Sequence, residues 1–343
     1  MRDLGEFGLI DRLTARLKHI QTDVTVGIGD DAAVLGYPAD CEIVATTDAL
    51  VEGVHFRSDT ISVHNLGYKA VAASISDIAA MGGLPKHILL SLAIPPDSDI
   101  SRLEGIYDGI DEISQHYKCS VVGGDVVKTE GPLVINVTLL GTVKRGQALL
   151  RSGAKVGDVV FVTGYVGGSA AGLSYRLRSQ HPPFVETAED TAAWKDCMEY
   201  LGSCHERPNP QVQAGQLLLA SGVCSSCNDI SDGLASELHE ISKASNVTIE
   251  IQAAAVPIHP HVQAFARGFS CDALEWALYG GEDYQLVGTV RKESFDTLAA
   301  QFHQAGLQMF AIGHVTGTGR GVLLRQGNAS TDISASGYNH FRS

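Results

Sequence analysis

From Arg151 to Asp158 the sequence passes through a polar, glycine-containing turn and restarts as a fresh apolar strand, Val159 to Thr163, followed by a Gly-rich loop and a helix. That restart constrains the fold strongly, because 343 residues exceed the length at which a single hydrophobic core usually stops growing. Two domains are therefore expected, residues 1–148 and 149–343, and an apolar content of 44% is enough for two cores. In the first, Glu42 to Thr47 and Leu133 to Val143 are rich in β-formers, while Asn65 to Met81 is Ala-rich and reads as a helix. Asn65 is placed to cap that helix, and Gly82-Gly83 with Pro85 to end it. A second helix is expected over Ile100 to Tyr117. In the second domain, Ser179 to Asn209 is polar and proline-bearing, which suggests a surface excursion with a short helix at Thr191 to Leu201. Strands and helices mix in both halves, so the expected class is α/β (α+β) in two domains.

Charge narrows the function. The chain carries 25 basic and 39 acidic residues, a net charge of −14, with no basic block, which argues against nucleic-acid binding. An acidic protein still binds anionic nucleotides when divalent cations sit between its carboxylates and the phosphates. No run of eighteen apolar residues occurs, and Arg2, Asp3 and Glu6 interrupt the N-terminus, so a cytoplasmic protein with no membrane partner is expected. Seven scattered cysteines do not suggest a disulfide framework. Cys224 and Cys227 form one CxxC, with Cys197 and Cys204 as conceivable zinc partners, but a second pair at familiar spacing is missing.

Acidic clusters beside glycines recur. Gly27-Ile28-Gly29-Asp30-Asp31-Ala32 superficially matches the dinucleotide fingerprint, yet Gly36 and Pro38 leave no room for the helix it must open, and two aspartates would repel a bare pyrophosphate. A cation at Asp30 and an Asp-rich surface turn both fit. Thr46-Thr47-Asp48 reads as a strand end, with Glu52 and His55 following; His55 taken alone suits packing or solvation as well as contact with a ligand. Asp77 places a carboxylate inside a small, apolar helix, where an unpaired charge would cost several kcal/mol. A metal ion or Lys69, two turns earlier, would supply the partner. Gly123-Gly124-Asp125, Asp229-Ile230-Ser231-Asp232-Gly233 and Gly280-Gly281-Glu282-Asp283 read as further glycine-acid turns. Phosphoryl transfer explains the set, since clustered carboxylates collect Mg²⁺ and the metal neutralises a triphosphate. A Walker lysine and the protein-kinase motifs are absent, and Gly164 to Gly172 lacks the lysine of a phosphate loop.

Taken in order, Glu6-Phe7-Gly8-Leu9-Ile10, GIGDDAAV from Gly27, TTDALVEGVHF from Thr46, SISDIAAMGG from Ser74, GGD from Gly123, LLRSGAKVGD from Leu149, DISDGL from Asp229 and GGEDYQL from Gly280 resemble the thiamine-monophosphate kinases of the aminoimidazole-ribonucleotide synthetase superfamily. The resemblance covers nearly the whole chain. It implies an aminoimidazole-ribonucleotide-synthetase-like fold, with an N-terminal mixed-sheet domain that pairs with its copy in a homodimer and a C-terminal α/β domain. It implies several Mg²⁺ ions, ATP as co-substrate and thiamine monophosphate as acceptor, with direct in-line transfer that needs no catalytic side chain beyond the metal set. Asp30, Thr46, Thr47, Asp48, Asp77, Asp125, Asp229 and Asp232 would bind metal through side chains or backbone oxygens. Tyr107, Gly124, Asp125, Arg151 and Ser231 would hold the nucleotide, and His55, Glu282 and Tyr338 the thiamine phosphate. Arg151 suits phosphate as a planar donor fork, and Glu282 suits a cationic thiazolium.

The chain departs from the family pattern at Val126-Val127, where threonines often follow the GGD. Among sister enzymes, a selenophosphate synthetase is expected to carry a reactive residue near its N-terminus, whereas the first cysteine is Cys41, and a hydrogenase-maturation relative to end in cysteine rather than Phe341-Arg342-Ser343. A purine-pathway synthetase fits the Asp77 helix and GGEDYQL poorly. A non-catalytic metal or nucleotide binder would not require Arg151, His55 and Glu282 beside the carboxylates.

Overall fold

The structure is a computed structural model that describes residues 5–178 and 188–335. The chain divides into two compact units, one made of Met1–Ile78 and Gly83–Gln147, the other of Ala79–Gly82 and Ala148–Ser343. The first contains α1 (Gly5–Thr14), β1 (Val24–Val26), β2 (Val34–Leu35), β3 (Cys41–Val51), α2 (Val63–Ala80), β4 (Leu84–Ile94), α3 (Ile100–Tyr117), β5 (Ser120–Lys128) and β6 (Val134–Lys144). Strands β3, β6, β4 and β5 form one sheet in that order, antiparallel except for β4 and β5, which run parallel because α3 carries the chain across between them. Ile75 and Ile78 of α2, Leu103, Ile106 and Ile110 of α3, and Ile88, Leu90, Val137 and Leu139 of the sheet are buried.

The α2 cap is not Asn65. The Ser62 hydroxyl accepts from the Asn65 backbone N–H at 3.1 Å and the Ser62 carbonyl from Leu66 N–H at 2.8 Å, so Ser62 is the N-cap and Asn65 the third helical residue. The helix does stop at the glycines: Gly82 N–H donates to Ala79 and Gly83 N–H to Ile78, the paired bonds of a Schellman ending. Pro85 lies in β4, opposite Gly141, and takes no part in the stop.

The second unit contains β7 (Val159–Val162), α4 (Gly168–Leu177), α5 (Ala188–Glu206), α6 (Val212–Ser221), β8 (Cys224–Asp229), α7 (Leu234–Ser245), β9 (Val247–Gln252), α8 (Pro260–Gly268), α9 (Ala273–Tyr279), β10 (Leu286–Val290), α10 (Phe295–Gln304), β11 (Phe310–Thr318), β12 (Gly321–Gln326) and β13 (Ala329–Asp332). Its sheet runs β13-β12-β9-β11-β7-β10-β8, and only the β12 and β9 pair is parallel. Alternate residues of β7 feed two cores: Val160 and Val162 pack with Leu234, Leu238 and Ile241 of α7, and Phe161 with Leu218, Leu298 and Phe302 of α6 and α10. Residues 179–187 of the expected surface excursion lie outside the described residues, and from Ala188 to Glu206 the chain is instead an integral helix. Cys197 and Leu201 of α5 are buried, and Trp194 stacks on Phe265 at 6.1 Å, because those apolar side chains recur along one helical face. No helix among the described residues is long and apolar enough to cross a membrane.

Candidate functional site

In the first unit the sheet alternation sorts the expected metal set onto two faces. Thr46 and Asp48 point toward α2, where they make a reciprocal pair of contacts: Thr46 Oγ1 donates to the Asp77 carboxylate, and Ser74 Oγ donates to Asp48 Oδ2 at 2.6 Å. Thr47, between them on β3, points to the opposite face and meets Asn136 and Thr138 of β6 at 3.0 Å each. Asp125 stands on that second face as well, since it pairs with Ser91, Ser91 with Asn136, and Asn136 with Ala49. Thr47 could therefore join Asp48 at a metal only through its backbone.

One motif expected as a strand end and one expected as a turn are both strand interiors. Thr46-Thr47-Asp48 lies in the middle of β3, and Gly123-Gly124-Asp125 in the middle of β5, beside a register shift against β4. Glycine is required there by proximity rather than by a bend. A Cβ on Gly124 would sit 1.9 Å from the Leu90 carbonyl oxygen. Asp30 is exposed in the 27–33 loop between β1 and β2, which opens no helix, and its Oδ1 accepts from Asp31 N–H at 2.8 Å. His55 Nδ1 accepts from Val51 N–H at 3.0 Å, which leaves the proton of a neutral ring on Nε2. Tyr107 is 4% exposed within α3, and burial pushes its hydroxyl up to about 12, so it stays neutral.

In the second unit, Asp229 ends β8 at 2% exposure, and Ser231 and Asp232 form the loop into α7. Two backbone bonds strap the 280–285 loop to it: Glu282 N–H donates to Ser231 O at 2.7 Å and Tyr284 N–H to Ile230 O at 2.9 Å. Glu282 thus stands beside the Asp229 to Asp232 segment, with Oε2 3.5 Å from Nδ1 of the buried His205. Arg151 Nε donates to Asn228 Oδ1 at 2.9 Å, and its Nη1 lies 3.8 Å from Glu240 Oε2. Tyr338 lies outside the described residues.

Glu237 and His205 were not singled out by sequence, and Asp283 only as part of the Gly280 to Asp283 turn. Glu237, 3% exposed in the first turn of α7, accepts from Asp232 N–H and Ser231 Oγ on one oxygen and from Asn228 on the other. Burial pushes it up to about 7. His205 joins Glu282 to Ser169, whose Oγ is 3.0 Å from the same Nδ1. Asp283 accepts from Gly167 N–H at 2.6 Å and Ser169 N–H at 3.1 Å, so the anion place at the start of α4 is filled by the chain's own carboxylate, and the Gly-rich loop has no phosphate to cradle. The His205 and Asp283 contacts join segments far apart in sequence, whereas those of Glu237 close the turn between β8 and α7.

Burial pushes Asp283 up to about 7, well above its ordinary 3.8. The native state therefore binds its proton more readily than the unfolded chain between about pH 4 and about pH 7, so stability falls as pH rises through that window and levels off above it. Glu237 adds a slope of the same sign. Asp283→Asn should remove one group's share of this slope and cost about 1–3 kcal/mol at low pH, because an amide cannot accept from both N–H groups. Denaturant unfolding from pH 4 to pH 8 reads both; an unchanged slope would place the Asp283 carboxylate in water.

Among the described residues no group of three or more His, Cys, Asp or Glu side chains is gathered to hold a metal ion. The β3 and α2 pair nevertheless fits a hard cation by donor chemistry. Its atoms are all carboxylate and hydroxyl oxygens, and the Asp48 carboxyl is raised by burial despite the Ser74 bond, the state that a bound cation would relieve.

A family model described as AIR synthase related protein, N-terminal domain, matches residues 29–143, and one described as the C-terminal domain matches residues 155–325. The thiamine-monophosphate kinase of Bacillus subtilis (strain 168) is 41% identical, covering 99% of this chain and 100% of that protein. That of Escherichia coli (strain K12) is 38% identical over 98% of both. Among solved structures, thiamine-monophosphate kinase from Stenotrophomonas maltophilia K279a superposes with a TM-score of 0.81 at 34% identity, covering 95% of this chain and 98% of that one. AaThiL complexed with AMPPCP and TMP gives 0.74 at 33% identity, covering 99% and 98%.

Proposed function

The chain belongs to the thiamine-monophosphate kinase family of AIR synthase related proteins, and we propose on that footing that it transfers the γ-phosphoryl group of ATP to thiamine monophosphate, giving thiamine diphosphate and ADP. The observation that carries the reading is full-length similarity to a protein solved with AMPPCP and TMP together, an ATP analogue beside an acceptor. Magnesium, when bound, neutralises the triphosphate and the charge that develops during transfer. Asp48 and Asp77, supported by Ser74 and Thr46, would hold it in the first unit, and Asp229 and Asp232 in the second. Arg151 and Ser231 would orient the nucleotide, and His55, Glu282 and Tyr338 the acceptor.

The acceptor phosphate oxygen is already anionic, so its lone pair forms the new P–O bond while the bond between the γ-phosphorus and the bridging oxygen breaks and ADP leaves. No general base is required, and positioning supplies most of the rate. A covalent relay through the protein is disfavoured. Burial pushes Cys197 and Cys204 up to about 11 and Cys119 up to about 12, leaving little thiolate. Ser169 and Glu282 both meet Nδ1 of His205, whereas an activated serine needs its base and the orienting acid on opposite ring nitrogens. Pairing of two copies through the first-unit sheet belongs to the same proposal, supported by Ile43, Leu89 and Val127 exposed on its uncovered face. Sedimentation should then return twice the chain mass.

With ATP labelled at the γ position and Mg²⁺ and thiamine monophosphate present, all consumed label should appear in thiamine diphosphate. Stoichiometric free phosphate, the signature of the synthetase relatives, or label held on the protein in a single turnover, would overturn direct transfer.

A further inference from the structure

We propose that Glu237 is a positioning residue that fixes the amide polarity of Asn228 and, through it, the orientation of Arg151, so that one buried carboxylate sets the arginine fork and the Ser231-Asp232 turn together. The proposal rests on the reading of Arg151 as a nucleotide contact. Its basis is a chain of bonds anchored at both ends. Arg151 can only donate, and both Glu237 oxygens stand as acceptors, Oε1 to Asp232 N–H and Ser231 Oγ and Oε2 to the Asn228 amide. Asn228, 3% exposed between them, must therefore turn its oxygen to Arg151 Nε at 2.9 Å and its NH₂ to Glu237 Oε2. The other Glu237 oxygen accepts from Asp232 N–H at 3.1 Å and Ser231 Oγ at 3.4 Å. Helix α7 thus presents a carboxylate whose two oxygens serve two different nucleotide-side elements. Glu240, one turn further along α7, steadies the far side of the guanidinium.

The bond polarity makes a specific compensation possible. In Glu237→Gln the amide oxygen is retained by Asp232 N–H and Ser231 Oγ, so the new NH₂ faces the Asn228 NH₂. Asn228 then meets donors on both sides, and whichever way it turns, either Arg151 or Gln at 237 loses its acceptor. Asn228→Asp alone satisfies Arg151 but sets a second buried carboxylate against Glu237. The double variant Asn228→Asp/Glu237→Gln restores every bond, because Asp at 228 accepts both from Arg151 and from the new amide, and it keeps the total charge unchanged.

Calorimetric binding of Mg-ATP to the full-length protein tests the relay without requiring turnover, and acceptor KM is measured beside it. Glu237→Gln should weaken Mg-ATP about tenfold and leave acceptor KM near its starting value, the loss expected when an outer partner is removed. The double variant should return Mg-ATP affinity to within about threefold of wild type, since only its bond polarity differs from the single variant. A folded double variant that binds no better than Glu237→Gln, or equal weakening of both substrates in Glu237→Gln, overturns the proposal. If Glu237→Gln fails to fold, the double variant compared with Asn228→Asp alone carries the same decision. Wild-type protein that binds Mg-ATP but does not phosphorylate thiamine monophosphate would remove the proposed acceptor and leave the relay comparison standing.

Discussion

Asp48→Asn should lower turnover by at least about 100-fold, about 2.7 kcal/mol of transition-state stabilisation, while leaving the folded state as stable as before or more so. The two halves of this outcome come from one observation. Burial raises the Asp48 carboxyl, which means that its charge is held at a cost to folding; Ser74 Oγ is its hydrogen-bond donor, and among the described residues no Lys or Arg pairs with it. An amide keeps the size and the acceptor for Ser74, removes the cost, and removes the charge proposed to hold Mg²⁺. A site kept for activity and not for stability responds in this direction. Asp77→Asn should lose turnover comparably, and it also separates the two partners considered for that acid. Lys69 is buried in the same helix, so if it were the reason for Asp77, the variant would lose stability and keep its turnover. Turnover across a Mg²⁺ titration, with melting temperatures on the same samples, decides both. Near-normal activity at limiting Mg²⁺ in either variant would remove that aspartate from the metal set.

The elements that the sequence revealed are those with strong local periodicity. Ile100 to Tyr117 is α3 residue for residue, the strand over 134–144 lies where a run of β-formers placed it, and the strand expected over Glu42 to Thr47 is there but runs on to Val51. The errors share a physical origin. A glycine followed by an acid reads as a turn, yet in β5 Gly124 is there because the β4 backbone passes too close for a Cβ. Polar residues and prolines around α5 read as surface, although every third or fourth residue reaches the core beneath. Asn65 and Ser62 are both good caps, and only the observed bond decides between them. The acids proposed for the site announce themselves beside glycines in the sequence, but the side chains that hold them do not. Ser74 and His205 look like ordinary helix residues until tertiary structure brings partners from other segments to them, and Glu237 does so until the turn before α7 folds back onto it. Face assignment was hidden as well, because a strand period of two separates Thr47 from Thr46 and Asp48 only once those residues are known to lie inside a strand.

Gly109→Ala should destabilise the protein by about 3 kcal/mol or more, although helix propensity alone predicts a gain of about 1 kcal/mol. The opposed signs make the result decisive. A Cβ on Gly109 of α3 would sit 1.8 Å from the His64 carbonyl oxygen of α2, and one on Gly67 of α2 would sit 1.9 Å from the Ile106 carbonyl oxygen of α3. The helices therefore cross with backbone against backbone at two points, and neither obstructing atom is the end of a flexible side chain that could swing aside. Relief requires moving α2 from α3 by about 1.5 Å, which separates atoms across an interface packed to crystal-like density. The same displacement would carry Ser74 and Asp77 away from Thr46 and Asp48, whose hydrogen bonds depend on the seating of α2 on the sheet. Whatever fraction of Gly109→Ala remains folded should consequently need more Mg²⁺ for half-maximal turnover. Denaturant unfolding supplies the first readout and a Mg²⁺ titration the second. A variant at least as stable as wild type would show that propensity governs this position and that the two helix backbones do not touch.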